Sequence, residues 1–226
     1  VVGAAVTTAR RRPARVRPSL SRELIAEAAY RLTRDEPTTP LTLGRLGAEL
    51  GADPTALYRH YRNREELLLD VFDRMYADVL ARFRPTADWR ESLRAVAAEM
   101  RSVLLQRPAL VAEVGFRFTG GPREREAIEL TRRLFEQAGL DPAEATSQVR
   151  VYGELMLSHA AMSAATITAS ASVQSRELEF GRVTYGSTAR DMSEYESEVF
   201  ELMFATYVDG LAVRARAAKR NGRKAS

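Results

Sequence analysis

The sequence predicts an all-α fold in two parts. Three observations carry the prediction: apolar residues recur at three- and four-residue spacing through most of the chain, no strand-rich block interrupts them, and capping side chains, prolines and glycines fall where helices would start and stop. At 226 residues the chain is long enough for a buried core, as one full domain with an appendage or as two modest ones. It has no cysteine, which excludes disulfide scaffolds, thiol nucleophiles and Cys-ligated zinc and is compatible with a reducing cytoplasm. The opening Val1 to Ala9 followed by an arginine run reverses the order of a secretion signal, and Val1 suggests that an original first residue is absent.

The elements follow in order. After the basic stretch Arg10 to Arg17, Ser21 can cap a helix whose apolar face is Leu24, Ile25, Ala28, Ala29 and Leu32 and which ends before Pro37. A short helix with Leu43, Leu46, Gly47 and Leu50 on one face stops at Gly51. Asp53-Pro54 then restarts the chain with a capping side chain and a proline at the first helical position. Asn63 with Glu66 resembles a capping box and opens a longer helix through Leu67, Leu68, Val71, Phe72, Met75 and Val79. Beyond Pro85, helices are expected at about Trp89–Gln106, Ala109–Phe118, Arg123–Ala138, Pro142–Ser170 and Glu194–Ala217, and Ala171 to Ser193, with Gly181 and Gly186, reads as a long loop or mobile connection. Leu155 to Gln174 lacks charge but is rich in Ala, Ser and Thr, so a buried or interfacial helix is expected and no membrane span.

Charge divides the chain. Residues 1–67 hold 12 Arg against 8 acidic residues, residues 68–210 hold 16 Arg against 22, and residues 211–226 hold 6 basic residues and no acidic one. Basic ends on an acidic body point to a polyanion-binding terminal segment, although charge alone does not separate nucleic acid from anionic lipid or a solvated tail.

Leu43 to His60 has the spacing of a helix-turn-helix. Two helices crossing steeply over a short turn require a small residue on the first helix and a glycine in the turn, and Gly47 and Gly51 meet both needs. Leu46, Leu50 and Leu57 would form the small core, leaving the other face of the second helix for the DNA major groove.

The stretch Leu41 to Leu67, and above all Leu57-Tyr58-x-His60-Tyr61 followed by Asn63-Arg64-x-x-Leu67, resembles the DNA-binding region of the tetracycline-repressor (TetR) family of transcriptional regulators. The resemblance covers about residues 20–70; beyond them only length and helical layout agree. It implies that Tyr58 and His60 contact phosphates, that Thr55, Ala56 and Arg59 face base edges, that Thr42 belongs to the same surface, and that Arg64 holds a phosphate at the start of the fourth helix, where backbone N–H groups also point. Gly44 and Gly47 depart from the family pattern, as does Ala52-Asp53 in place of Val-Ser.

Each residue also has a plainer role open to it. Tyr58 could pack between helices, Thr55 could serve only the first helical turn, and Arg59 could hold a phosphate rather than guanine. The arm Arg10 to Arg17 could enter a minor groove or be solvated, and Arg214 to Lys224 reads as a solvated tail. Glu124-x-Glu126-x-x-Glu129, alternating with Arg123, Arg125, Arg132 and Arg133, reads as a salt-laced solvent face. His60 and His159 lie far apart in sequence, and no HExxH, P-loop, GxSxG or dinucleotide fingerprint is present, so neither an enzyme nor a metal or cofactor is expected.

In the body, Val149, Tyr152, Gly153, Met156, His159, Ala160, Ser163 and Ile167 share one side of a long helix, suited to a ligand cavity or a dimer seam. Trp89, Phe116, Tyr152, Met156 and His159 are the candidate ligand contacts. The last helix, from Val199 to Leu211, is apolar over so wide an arc that a partner helix is its natural cover. The resemblance implies that the last two long helices pair with their copies as a four-helix bundle.

The expected organisation is therefore a basic arm over residues 1–18, a helix-turn-helix DNA-binding domain over 19–66, an effector-binding and dimerisation domain over 67–217 and a basic tail over 218–226. The expected function is a cytoplasmic, homodimeric, ligand-responsive transcriptional regulator, a repressor released from a palindromic operator by a small molecule. A ligand-independent DNA-binding protein and a helical small-molecule carrier or enzyme are the alternatives; a filled core would mark the first, and activity surviving changes at Tyr58 and His60 would mark the second.

Overall fold

A computed structural model describes residues 20–225, with side chains up to Arg216. The arm expected over residues 1–18 lies outside the described residues, as do the side chains of the expected tail over 218–226.

Among the described residues the secondary structure is helical throughout: α1 (Arg22–Asp35), α2 (Leu43–Leu50), α3 (Pro54–Leu57), α4 (Arg64–Arg82), α5 (Trp89–Leu105), α6 (Pro108–Val114), α7 (Pro122–Ala138), α8 (Pro142–Thr168), α9 (Ala171–Tyr185) and α10 (Met192–Ala225). The caps predicted at Ser21, Asp53 and Asn63 form, and Thr42 adds one at α2. The side chains of Ser21, Thr42, Asp53 and Asn63 each accept a backbone N–H in the first turn of the helix that follows. The Asn63 box is split: Asn63 Oδ1 accepts the Glu66 N–H at 2.8 Å, but the Glu66 carboxylate reaches past Asn63 to the Arg62 N–H at 2.7 Å.

Helices α1 to α3 pack on the first half of α4 around Ile25, Leu46, Leu57, Leu67 and Leu68, all at most 1% exposed. Full burial of side chains of this kind contributes about 1.5–3 kcal/mol each. The second half of α4 enters the body, where α8 packs against α5, α6 and α7, and α10 covers α8 and α9. Thus α4 is shared by the two parts.

Two expectations are corrected. Ala171 to Ser193 is mainly a helix, α9, because Gly181 is a packing glycine rather than a breaker. It meets the Tyr195 ring so closely that a Cβ would stand 2.5 Å from Tyr195 Cε2, and the helix ends only at Gly186, which is left-handed at φ 69°. The acidic stretch of α7 is solvent-facing only in part. Glu129 pairs with Arg132 at 2.6 Å, as a salt-laced face requires, but Glu124 is 3% exposed because the helix rotates it onto α4.

No helix among the described residues is long and apolar enough to cross a membrane.

Candidate nucleic-acid interface and effector cavity

The turn between α2 and α3 is tight because its glycines permit it. Gly51 ends α2 in the left-handed region (φ 60°, ψ 36°), and the Ala52 N–H then donates back to the Gly47 carbonyl at 2.9 Å. A Cβ on Gly47 would lie 2.8 Å from the Ala52 carbonyl oxygen and 3.2 Å from Pro54 Cγ, so the absent side chain sets how closely the two helices approach. Asp53 restarts the chain, its Oδ1 accepting the Thr55 N–H at 2.8 Å and the Thr55 hydroxyl at 2.6 Å. These bonds hold the Asp53 carboxyl below the usual carboxylate range.

Leu57 is buried under α3 while Thr55, Tyr58 and Arg59 are exposed and Ala56 and His60 half-buried, so the outer side of the turn presents the residues picked out in sequence. Tyr58 is 52% exposed, which removes the core-packing alternative. Thr55 donates its hydroxyl to Asp53 and keeps only acceptor capacity for an outside partner. Thr42 is exposed and caps α2, accepting the Arg45 N–H at 3.2 Å.

Arg22 holds this unit on α4. Its guanidinium lies 4.2 Å from the Tyr61 ring centroid and donates to Glu66 at 2.8 Å, Asp70 at 3.1 Å and the His60 carbonyl at 3.2 Å. Tyr61 is buried and donates its hydroxyl to Asp70 at 2.7 Å; burial first, and then this carboxylate, push its phenol well above the usual value. Neither role of Arg22 was legible in sequence, since its partners lie 38 or more positions away.

Arg64 is engaged within the chain. Its Nε and Nη2 donate to the Leu41 carbonyl at 2.9 and 2.6 Å, and its fork pairs with Glu113 on α6. Next to it, Glu65 pairs with Arg117 just beyond α6. Two ion pairs therefore join the first turn of α4 to the α6 region.

In the body, a cavity of about 340 Å³ opens between α4, α5, α7 and α8, with Tyr152 and Met156 in its wall as expected. The other three candidate contacts stand apart from it. Trp89 lies at the first position of α5 with the Arg90 guanidinium 4.5 Å from its ring, and Phe116 projects to solvent because α6 ends at Val114, leaving Phe118 to supply the aromatic wall. His159 turns to α10, its ring 5.7 Å from that of Phe200 and near Ser163 and Glu196; burial lowers its pKa from the ordinary value.

Sequence reasoning missed the polar end of the cavity. Tyr76 on α4 donates to Glu124 Oε1 at 3.3 Å, while Glu124 Oε2 accepts the Thr119 hydroxyl at 3.0 Å and the Gly120 N–H at 2.6 Å. The only sequence signal is that α7 begins at Gly121-Pro122, with no side chain to cap it and an acid three residues on.

Comparison with known proteins identifies the N-terminal domain. Residues 25–71 match the model of the DNA-binding domain described as bacterial regulatory proteins, tetR family. Residues 25–71 are therefore a tetR-type DNA-binding domain. Two curated relatives agree: an HTH-type transcriptional regulator of Saccharopolyspora erythraea, 28% identical over 58% of this chain and 55% of its own length, and the HTH-type transcriptional repressor DrrR1 of Streptomyces coeruleorubidus, 29% identical over 62% and 52%. The matches thus span about half the length of these relatives. A crystal structure of a Streptomyces coelicolor A3(2) protein, solved by structural genomics and assigned there only provisionally as a transcriptional regulator, is 28% identical over 86% of this chain and 98% of its own, with a TM-score of 0.69. The fold of that structure therefore extends over both parts of this chain, and the relatives are named as transcriptional regulators.

Proposed function

We propose that this chain is a homodimeric, ligand-responsive transcriptional regulator of the tetR family, a repressor that leaves a near-palindromic operator when a small molecule enters the α4–α8 cavity. The division into arm (1–18), DNA-binding domain (19–66), effector and dimerisation domain (67–217) and tail (218–226) belongs to this reading, as does a cytoplasmic location. The observation that carries it is the exposed Tyr58-Arg59 pair in the turn that ends the short helix α3, whose buried Leu57 and glycine-closed entry direct that surface outward.

Tyr58, His60 and Arg64 would hold phosphates, while Thr55, Ala56 and Arg59 would face bases beside Thr42. Dimerisation would use α8 and α10, whose outer faces carry Val151 at 49%, Met162 at 61%, Leu202 at 72% and Val213 at 65% exposure, apolar surface suited to a copy of the same helices. The dimer would set two recognition helices about 34–36 Å apart, one DNA turn. Release requires only that the effector bind the two separations with different affinity, and coupling of about 1–3 kcal/mol is typical.

Binding-site selection from random DNA, followed by anisotropy titrations across a salt series, tests the proposal. It expects an enriched palindrome, a steep salt slope and an altered base preference for Arg59→Ala with weaker binding for Tyr58→Phe. Weak, sequence-independent binding kept by both variants would defeat it.

A further inference from the structure

The cavity between α4, α5, α7 and α8 is apolar over most of its wall, with Met100, Ile128, Val149 and Met156 among its residues, yet Glu124 stands in that wall 3% exposed. A buried carboxylate needs compensation, and a charged side chain usually supplies it. For Glu124 the donors are all neutral: the Tyr76 and Thr119 hydroxyls and the Gly120 N–H. Among the described residues no arginine or histidine forms an ion pair with it, and neighbouring Arg123 is turned to Asp73 at 3.3 Å.

Glu124 stands in the first turn of α7. The two oxygens are unequal. Oε2 has two short bonds, whereas Oε1 has only the 3.3 Å bond from Tyr76, itself a wall residue, and so retains acceptor capacity beside the cavity. The rim arginine, Arg150, is paired with Glu154 at 3.0 Å and its side chain is 81% exposed, so its charge is compensated and screened.

We infer that the effector is a lipophilic amine: an apolar body filling the cavity and a protonated nitrogen donating to Glu124 Oε1. This rests on the cavity being the effector site, as proposed above, and it names the ligand's class. Such a ligand gives a buried carboxylate that has only neutral donors a charge-assisted partner, whereas an anion of the same shape would bring two negative charges together.

Three naphthalene probes of nearly equal shape test the inference by calorimetry on the full chain at neutral pH: 1-naphthylmethylammonium, 1-naphthylmethanol and 1-naphthoate. The expected order is ammonium, alcohol, carboxylate, with at least about tenfold between the first two, the scale of one hydrogen bond to a charged group. Glu124→Gln is expected to remove that difference while leaving the alcohol's affinity within about twofold. Gly153→Leu, whose side chain would fill the cavity beside Phe118, is expected to abolish binding of all three.

An alcohol that binds as well as the ammonium, or a preference that survives Glu124→Gln, overturns the inference while leaving the cavity as an effector site. Failure of all three probes, or binding that persists in Gly153→Leu, overturns both. The order on the unaltered chain decides the matter alone if Glu124→Gln does not fold.

Discussion

The Asp73 carboxylate on α4 accepts the backbone N–H of Glu124 on α7 at 2.9 Å, capping a helix to which it does not belong. Gly121, the residue at the cap position of α7, has no side chain to do this, and a Cβ there would overlap the Asp73 carboxyl. Asp73 also accepts from Arg123 Nη1 at 3.3 Å, and its Oδ1 lies 3.2 Å from the Thr119 hydroxyl, whose single proton it shares with Glu124 Oε2. The Glu124 side chain reaches back to the Gly120 N–H, so the two halves of a capping box come from different helices. One end of the cavity is thereby tied to the helix that carries the DNA-binding unit.

Asp73 and Gly121 are therefore expected to be coupled in stability. Asp73→Ala removes a buried cap and should cost about 1–3 kcal/mol in urea unfolding. Gly121→Ala should also destabilise, through overlap with the Asp73 carboxyl. In the double variant the overlap is gone, so its loss should fall short of the sum by about 1 kcal/mol or more. Strict additivity would show that the two residues do not share this space.

Two glycines on α2 should respond in opposite directions to alanine. Nothing lies within 4 Å of a Cβ on Gly44, which is exposed, so Gly44→Ala should raise stability by up to about 1 kcal/mol with no change in DNA binding. Gly47→Ala gains the same propensity but drives its methyl against the Ala52 carbonyl and Pro54, so the turn must open. Its expected signature is no gain in thermal stability together with weaker operator binding. A Gly47→Ala variant as stable as Gly44→Ala, with unchanged DNA binding, would contradict this account of the turn.

His159 gives the pH dependence its sign. Burial disfavours its protonated form, Arg101 acts in the same direction, and Glu196 opposes both, leaving the pKa below the ordinary 6.5. The unfolded chain then binds the proton more readily, so this contribution to stability is complete above about pH 6.5 and is lost as pH falls through the lowered folded value. Arginine partners hold the Glu23, Glu66 and Glu194 carboxyls below the usual carboxylate range, so their losses begin lower on the scale. His159→Gln should flatten urea-unfolding stability between about pH 6.5 and 5; an unchanged slope there would assign that window to other groups.

Local chemistry accounts for what the sequence made legible. The caps at Ser21, Asp53 and Asn63 and the turn at Gly51 depend on residues within four positions, so these helix starts and the helix-turn-helix could be read directly. The cavity was half legible: Tyr152 and Met156 followed from helical spacing, but Glu124 was assigned to a solvent face because α7 alone does not reveal that α4 covers it. Gly181 misled for a related reason, its role being set by the Tyr195 ring fourteen positions on. The partners of Arg22, Arg64 and Asp73 are long-range and leave no periodic trace.

At Arg64 the proposed phosphate contact would compete with internal tethering. Arg64 Nη2 is shared between the Leu41 carbonyl at 2.6 Å and Glu113 at 2.9 Å, so a phosphate must displace or share one of them. The ion pair is about one-third exposed on both sides, which limits its strength to roughly that of a surface pair, about 0.2–1 kcal/mol. Glu113→Gln should accordingly strengthen operator binding by about 1.5- to 5-fold. Arg64→Ala should weaken binding to all sequences alike and reduce the salt slope by about 1, because a phosphate contact carries no base information. Anisotropy titrations of both variants on the selected operator and on scrambled DNA, at several salt concentrations, separate the possibilities. Unchanged affinity and slope in both would make Arg64 solely a tether between α4, the Leu41 carbonyl and α6, and would move the phosphate contact at this position to the backbone N–H groups of the first turn of α4.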